Sequence, residues 1–271
     1  MDMTFDLAAY LKRVGLAATP PPDLDGARTL HRAHVMAIPF ENLDIQFGVG
    51  IKLDAASLQQ KLVQRRRGGY CFEQNALFAT ALAAIGVAAE PREARVRTVS
   101  GALLPRTHMA LVIAFEGRDW LADVGFGGDG LVEPLPLDGT PAEQEGRGYR
   151  AMAEGARRIL QMRSGETWVD QYALLPDVVY PIDFEMANWF TSTWPRSPFV
   201  QTVTAQRVTA GARHILRNLT YTVTRGDVAE TREISRAELV PLLRSIFDLD
   251  VPSESRFAAL DGLSAALQET R

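Results

Sequence analysis

Cysteine is nearly absent from this chain: Cys71 is the one thiol in 271 residues. A lone thiol cannot close an intramolecular disulfide. With no CxxC pair and no Cys/His cluster, there is also no donor set for structural zinc. Excess positive charge is lacking too, since 29 lysines and arginines face 33 acidic residues, for a net charge of −4. No broad basic face is expected, which argues against non-specific binding of nucleic acid. No apolar run is long enough to span a bilayer. The amino-terminal MDMTFDLAAYLKRVG has neither the basic start nor the apolar core of a secretory signal. The expectations are a cytoplasmic protein with no metal, no membrane partner and no nucleic-acid partner. Nothing in the sequence reports on oligomeric state. What is present is a globular composition, 46% hydrophobic and 23% charged, in a chain long enough for a substantial core.

The hydropathy pattern changes texture twice. Residues 1–86 read as helical. Phe5, Leu7, Tyr10, Leu11 and Val14 fall at helical spacings before a break at ATPPPD, and a second helix is expected over Leu24 to Ala37. Asp54 is placed to cap a third, with Leu58, Leu62 and Val63 inward. A fourth runs from Cys71 to Ile85 and stops at Gly86. From about Val87 to Tyr172, within a second part placed at residues 87–187, the period shifts toward two. ARVRTV, HMALVIAF, RDWLADVGF, YRAMAE, RILQMRS and TWVDQYAL are short runs between Gly, Pro and Asp, with EGRDW as a hairpin turn. An antiparallel sheet or small barrel is expected there. Val132 to Gly148 reads as a long surface connection within it. Residues 188–271 mix strands, in HILRNLTYTVTR, with helices, in SRAELVPLLRSIF and SESRFAALDGLSAAL.

Cys71 follows Gly68-Gly69 and opens a helix. A helix N-terminus offers unpaired N–H groups and partial positive charge, both of which favour a thiolate. The paired glycines can adopt backbone angles closed to other residues and leave room for a substrate. A buried structural cysteine is the competing reading. A nucleophilic thiol needs a base, and the base an orienting group. Of the four histidines, His31 and His34 sit beside apolar residues on a helix and His214 lies in a late strand; each reads as packing or surface. His108 instead opens the strand HMALVIAF after the loop LLPRT. If the next strand, ending in WLADVG, pairs with it as a hairpin, Asp123 comes beside His108. A strand-end turn is the competing role for Asp123.

RGGYCFEQN, RTHMALVI and LADVGFGG, in this order and at these separations, resemble the arylamine N-acetyltransferases. IPFENLD (residues 38–44) and NWFTSTWPRSPF (residues 188–199) look like two further segments of that family. The resemblance implies an α+β fold in three parts: a helical bundle carrying the nucleophile, a central antiparallel β-barrel carrying His and Asp, and an α/β lid joined by an interdomain helix. It implies a cysteine-protease-like triad of Cys71, His108 and Asp123. The implied reaction is ping-pong transfer of acetyl from acetyl-CoA, as co-substrate, through an acetyl-cysteine. The acceptors are small xenobiotic arylamines, arylhydrazines or N-arylhydroxylamines. Phe40, Phe126 and Phe199 are implied to border the acceptor site. Gly127 and Gly128 are implied to let acetyl-CoA approach the backbone, a tight turn being the alternative. Glu41 and Arg67 look like a structural charge pair behind the nucleophile, and Glu73 and Gln74 read as first-turn helix residues. A thiol-dependent hydrolase or a macrocycle-forming amide synthase could use the same triad, and a non-catalytic binding protein is the reading from another class.

Overall fold

The structure, a computed structural model, describes residues 5–98 and 100–262. Helix α1 (Leu7–Val14) begins where the Asp6 carboxylate accepts the Ala9 N–H at 2.9 Å and ends at Gly15, φ +79°. Helix α2 (Leu24–Ala37) is capped in the same way by Asp23. Asp54 caps α4 (Ala55–Leu58), which runs on as a π-helical segment over Gln59–Gln64 and turns Leu58, Leu62 and Val63 inward. The starts of α2 and α4 lie where the sequence placed them. The central helix is α5 (Cys71–Ala84), whose Phe72, Leu77, Phe78, Ala81 and Leu82 are fully buried. Being apolar around most of its circumference, it can only lie inside the molecule.

Eight antiparallel strands follow. They are β2 (Ala89–Val96), β3 (His108–Phe115), β4 (Arg118–Ala122), β5 (Leu135–Pro136), β6 (Ala142–Gln144), β7 (Arg147–Glu154), β8 (Arg157–Ser164) and β9 (Thr167–Leu174). Their order is β5-β4-β3-β2-β9-β8-β7-β6, and β5 packs back onto β7, so the sheet is a nearly closed barrel. The β3–β4 hairpin turns through Glu116 and Gly117, both at positive φ, as a two-residue turn between twisted strands requires. Strand β3 is apolar on both faces because both are covered. Met109, Leu111 and Ile113 pack against the helices, while Ala110 and Val112 join the barrel core.

One expectation fails here. The stretch from Val132 to Gly148 is not a surface connection: it contains β5, β6 and the start of β7, and Val132 and Leu135 are fully buried. Its strands are two and three residues long, too short to show a period of two. The buried Gln144 side chain accepts the N–H groups of Val132 and Glu133, work usually done by a ladder.

Helix α6 (Pro181–Thr193) crosses position 188, so the change of texture read there falls inside a helix. Beyond α7 (Pro198–Gln201) comes a second antiparallel sheet of β10 (Thr204–Thr209), β11 (Ala212–Arg217), β12 (Thr220–Arg225) and β13 (Val228–Glu233). Its fifth strand is β1 (Phe40–Glu41), lent by the helical region. Helix α8 (Arg236–Ser245) covers this sheet, with Leu239, Leu243 and Phe247 packed on Ala205, Leu216 and Leu43 of α3 (Leu43–Gln46). The helix expected over residues 253–267 is helical from Ala258 to Gly262, and its remainder lies outside the described residues. Among the described residues, no helix is long and apolar enough to cross a membrane.

Candidate active site

Cys71 is the first residue of α5 and is only 3% exposed. Its S–H points to the Thr107 carbonyl at 3.6 Å. The glycines before it serve packing, not backbone freedom. A Cβ on Gly68 would lie 2.0 Å from the Pro39 carbonyl oxygen, and one on Gly69 would lie 2.8 Å from the Glu73 side chain. The space they leave is filled by protein, which corrects the expectation that it admits substrate.

Behind the nucleophile lies a buried charge network. Arg67 bridges Glu41 at 2.8 Å and Asp44 at 2.9 Å; Lys61 bridges Asp44 at 2.9 Å and Glu73 at 2.7 Å. The Glu41–Arg67 pair is as expected. Glu73 does more than face the helix dipole: its carboxylate also accepts the Tyr70 N–H at 3.1 Å. Burial pushes Glu73 up to about 7 in spite of Lys61.

His108 sits at the mouth of β3 and Asp123 just past the end of β4. Leu111 pairs with Ala122, so continuing the register sets Asp123 level with Ala110, on the same strand face as His108. His108 Nε2 donates to Asp123 Oδ2 at 2.7 Å, and the nearby Cys71 side chain helps to raise the imidazole pKa. The three side chains singled out in the sequence are therefore together. Burial alone would push the His108 pKa down, but the adjacent Asp123 charge and hydrogen bond overcome this and raise it to about 10. Burial likewise opposes ionisation of Asp123. His108, Asn75 and Tyr172 overcome that and hold its pKa below the ordinary value. The pair rests as imidazolium and carboxylate.

Sequence reasoning missed what holds Asp123. Oδ2 also accepts the Tyr172 hydroxyl at 2.7 Å, and Oδ1 accepts Asn75 Nδ2 and the Gly125 N–H, both at 2.9 Å. Asn75 was legible, since it lies one turn beyond Cys71 on the same helix face. Tyr172 was not, because nothing in TWVDQYAL distinguishes it from core. Its ring also packs 4.8 Å from that of His108. Tyr172→Phe keeps the ring and deletes one donor to a charged acceptor that retains three others. A loss of about tenfold in turnover is expected, the low end for such a bond. An unchanged rate on steady-state assay would show that Tyr172 only packs.

His31 and His34 are fully buried and neutral. His31 Nδ1 donates to the Val132 carbonyl, which leaves Nε2 to accept the Asp123 backbone N–H at 3.1 Å. His34 lies between Tyr10 and Gln74. Burial lowers their pKa values to about 4 and about 3. Below pH 6.5 the unfolded chain protonates both, while the folded protein does not, so stability falls with pH. Glu73 acts oppositely, protonating first in the folded state as pH drops from 7 toward 4.5. His108 is protonated in both states there and adds no slope. Two losses against one gain leave roughly one proton, or about 1.4 kcal/mol per pH unit between pH 6.5 and 4.5, and His214, whose pKa burial also lowers, adds to the fall. The urea midpoint should therefore fall between pH 6.5 and pH 5; a flat or rising midpoint would mean that these histidines titrate in place.

Beside the three residues lies a cavity of about 540 Å³, reaching Thr107 and lined on its apolar side by Phe40, Phe126, Phe190, Trp194 and Phe199. The three phenylalanines singled out in the sequence all border it. Phe126 packs 5.3 Å from His108, and Phe40 packs 6.0 Å from Phe199. Gly127 and Gly128 meet protein from the second sheet. A Cβ on Gly127 would lie 2.5 Å from Gln206 Oε1, and Gly128 donates its N–H to that oxygen at 2.5 Å. Packing by Gln206 and Ile215 meets both glycines, and the tight-turn alternative also holds at Gly127, whose φ is +92° and whose carbonyl accepts the Gly130 N–H at 2.9 Å. Among the described residues, no cluster of His, Cys, Asp and Glu could hold a metal ion.

Fold and site define a class: an α+β protein in which a helix-borne thiol meets a strand-borne imidazole and carboxylate beneath a second sheet. A family model described as N-acetyltransferase matches residues 23–256. A curated relative, the arylamine N-acetyltransferase / N-hydroxyarylamine O-acetyltransferase of Salmonella typhimurium, is 44% identical over 199 residues, covering 73% of this chain and 71% of that one. A solved structure of arylamine N-acetyltransferase from Salmonella typhimurium superposes with a TM-score of 0.88 at 37% identity, covering 96% of this chain and 98% of that one. The Mycobacterium marinum arylamine N-acetyltransferase, solved in complex with CoA, gives 0.86 at 35% identity over 90% and 93%. This chain belongs to the arylamine N-acetyltransferase family of acyltransferases.

Proposed function

We propose that the protein transfers acetyl from acetyl-CoA to the nitrogen of arylamines or arylhydrazines, or to the oxygen of N-arylhydroxylamines. The intermediate is an acetyl thioester on Cys71. The observation that carries this reading is the juxtaposition of a buried helix-terminal thiol, an imidazolium held by Asp123 and an aromatic cavity. The relatives add support: the Salmonella protein is named for N- and O-acetyl transfer, and the Mycobacterium marinum structure holds CoA.

In the first half-reaction Cys71, as the thiolate whose proton His108 holds, attacks the thioester carbonyl of acetyl-CoA. A tetrahedral oxyanion forms, for which N–H groups at the start of α5 are the nearest donors. The C–S bond to CoA breaks, and the departing thiolate takes the proton from His108. In the second, the acceptor amine attacks the acetyl-Cys71 carbonyl and loses its proton to neutral His108. The C–S bond to Cys71 breaks, and the amide and the thiolate–imidazolium pair result. Arylamines are poor nucleophiles toward unactivated acyl groups, so an activated thioester suits them. Asp123 keeps the imidazole oriented and stabilises its charged form.

Incubation with acetyl-CoA and an arylamine, with CoA release and acetylarylamine both measured, tests the reading. One acetylarylamine per CoA is expected. CoA release matched by acetate would make the enzyme a hydrolase instead. Phe40→Ser and Phe126→Ser should each weaken use of the arylamine while Cys71 still reacts with a small alkylating agent. Lost alkylation with unchanged acceptor preference would make them part of the thiol's setting.

A further inference from the structure

The aromatic cavity has no acidic residue in its lining, and its ionisable side chains are two arginines, Arg196 and Arg217. In a chain of net charge −4 this is a local reversal of sign. Both are exposed, and among the described residues neither makes an ion pair. Five other surface arginines, Arg97, Arg106, Arg118, Arg163 and Arg236, each lie within 3.1 Å of a carboxylate oxygen, while Arg65 and Arg244 are exposed and, like Arg196 and Arg217, make no ion pair among the described residues.

Their placement follows from the backbone. Alternation along β11 sets Arg213, Ile215 and Arg217 on one face, opposite Val208, Gln206 and Thr204 of β10. Arg213 donates to the Gly130 carbonyl at 3.2 Å, and Ile215 lies against Gly128, so this face looks onto the glycine loop. Arg217 is the next position along it, where the face opens into the cavity beside Thr204 and Gln206. Arg196 comes from the segment between α6 and α7, its guanidinium 5.0 Å from the Trp194 ring centre. Two unpaired cations thus line a cavity that also includes Thr107, whose carbonyl lies 3.6 Å from the Cys71 sulfur, and Phe126, whose ring lies 5.3 Å from that of His108.

We propose that Arg196 and Arg217 form a phosphate-binding rim that positions the nucleotide end of the acyl-CoA donor. This rests on the transfer reaction proposed above. The donor's thioester must reach Cys71 through an apolar space, while its phosphates stay at the solvent edge. Planar guanidinium groups without carboxylate partners are suited to phosphate oxygens. An arylamine acceptor is neutral at the reacting nitrogen and needs no cation. The same anion chemistry could come from an acceptor bearing a carboxylate, and the experiment separates the two.

CoA binding is measured by calorimetry in the Cys71→Ser background, so that no acetyl transfer is involved. Arg196→Gln and Arg217→Gln should each weaken CoA about tenfold at low ionic strength, as for loss of a charge-assisted contact, and added salt should shrink the difference. With Cys71 intact, the KM for acetyl-CoA should rise while kcat holds. The thioester S-acetyl-N-acetylcysteamine, which lacks phosphates, should respond far less. CoA affinity within twofold of the parent overturns the proposal. So do equal losses with both donors, which would mark a structural defect, and a KM change confined to an aminobenzoate acceptor. If CoA binds through the arginines yet Cys71 is never acetylated, the transfer reaction fails and the rim stands.

Discussion

Mixed with acetyl-CoA and no acceptor, the protein should gain one acetyl group by intact-mass measurement, and Cys71→Ser should gain none. The variant should also lose about four orders of magnitude or more of turnover, the scale seen when a covalent nucleophile is removed. The substitution is nearly isosteric and adds no group that the buried site must accommodate. The expected loss is therefore chemical and not a collapse of the site. A hydroxyl is too weak an acid to rest as the anion beside His108, so it depends on general-base help that a thiolate does not need. Retention of the adduct in folded Cys71→Ser, checked by circular dichroism, would place the acyl group elsewhere.

The second large effect is expected at Asp123. Asp123→Asn keeps the size and removes the charge that lifts His108 to about 10. The His108 pKa should then fall, because burial, which opposes the imidazolium, is no longer offset. The imidazolium that supports the thiolate becomes scarcer near neutral pH. The asparagine amide can also favour the wrong imidazole tautomer. A loss of at least roughly a hundredfold in the rate of Cys71 acetylation is expected, the usual contribution of an acid–base group. The pH at which Cys71 becomes reactive toward iodoacetamide should move upward. The variant must be shown to be folded, because Asp123 also gathers donors from Asn75, Tyr172 and Gly125. Wild-type rates with an unshifted alkylation profile would reduce Asp123 to a turn residue.

Much of the site was legible because it is local. The helix start at Cys71, the strand start at His108 and the two-residue turn at Glu116-Gly117 are written in short stretches whose periodicity and turn chemistry suffice. A hairpin is a local contact, so the juxtaposition of His108 and Asp123 needed no knowledge of the rest of the chain. The partners that reach Asp123 from afar were not legible. Tyr172 arrives on β9, and His31 arrives on α2, where it read as packing or surface. Each is an ordinary core residue by pattern, and only the closing of the barrel and the seating of α5 give it a polar role. The same holds for Gly127 and Gly128. A pair of glycines announces close approach without saying to what, and the answer, Gln206, comes from the second sheet.

By itself the sequence placed most of the longer elements, a three-part change of texture and the candidates Cys71, His108 and Asp123. These depend on interactions between near neighbours, such as capping, alternation and turn geometry, which leave a readable period. Only the tertiary structure decided that β1 leaves the helical region to edge the second sheet, and that the stretch after Val132 is buried barrel. It also decided that Arg196 and Arg217 line one cavity. These are contacts between segments far apart in the chain, set by packing and by the satisfaction of buried polar groups, and neither process imposes a pattern on a short stretch of residues.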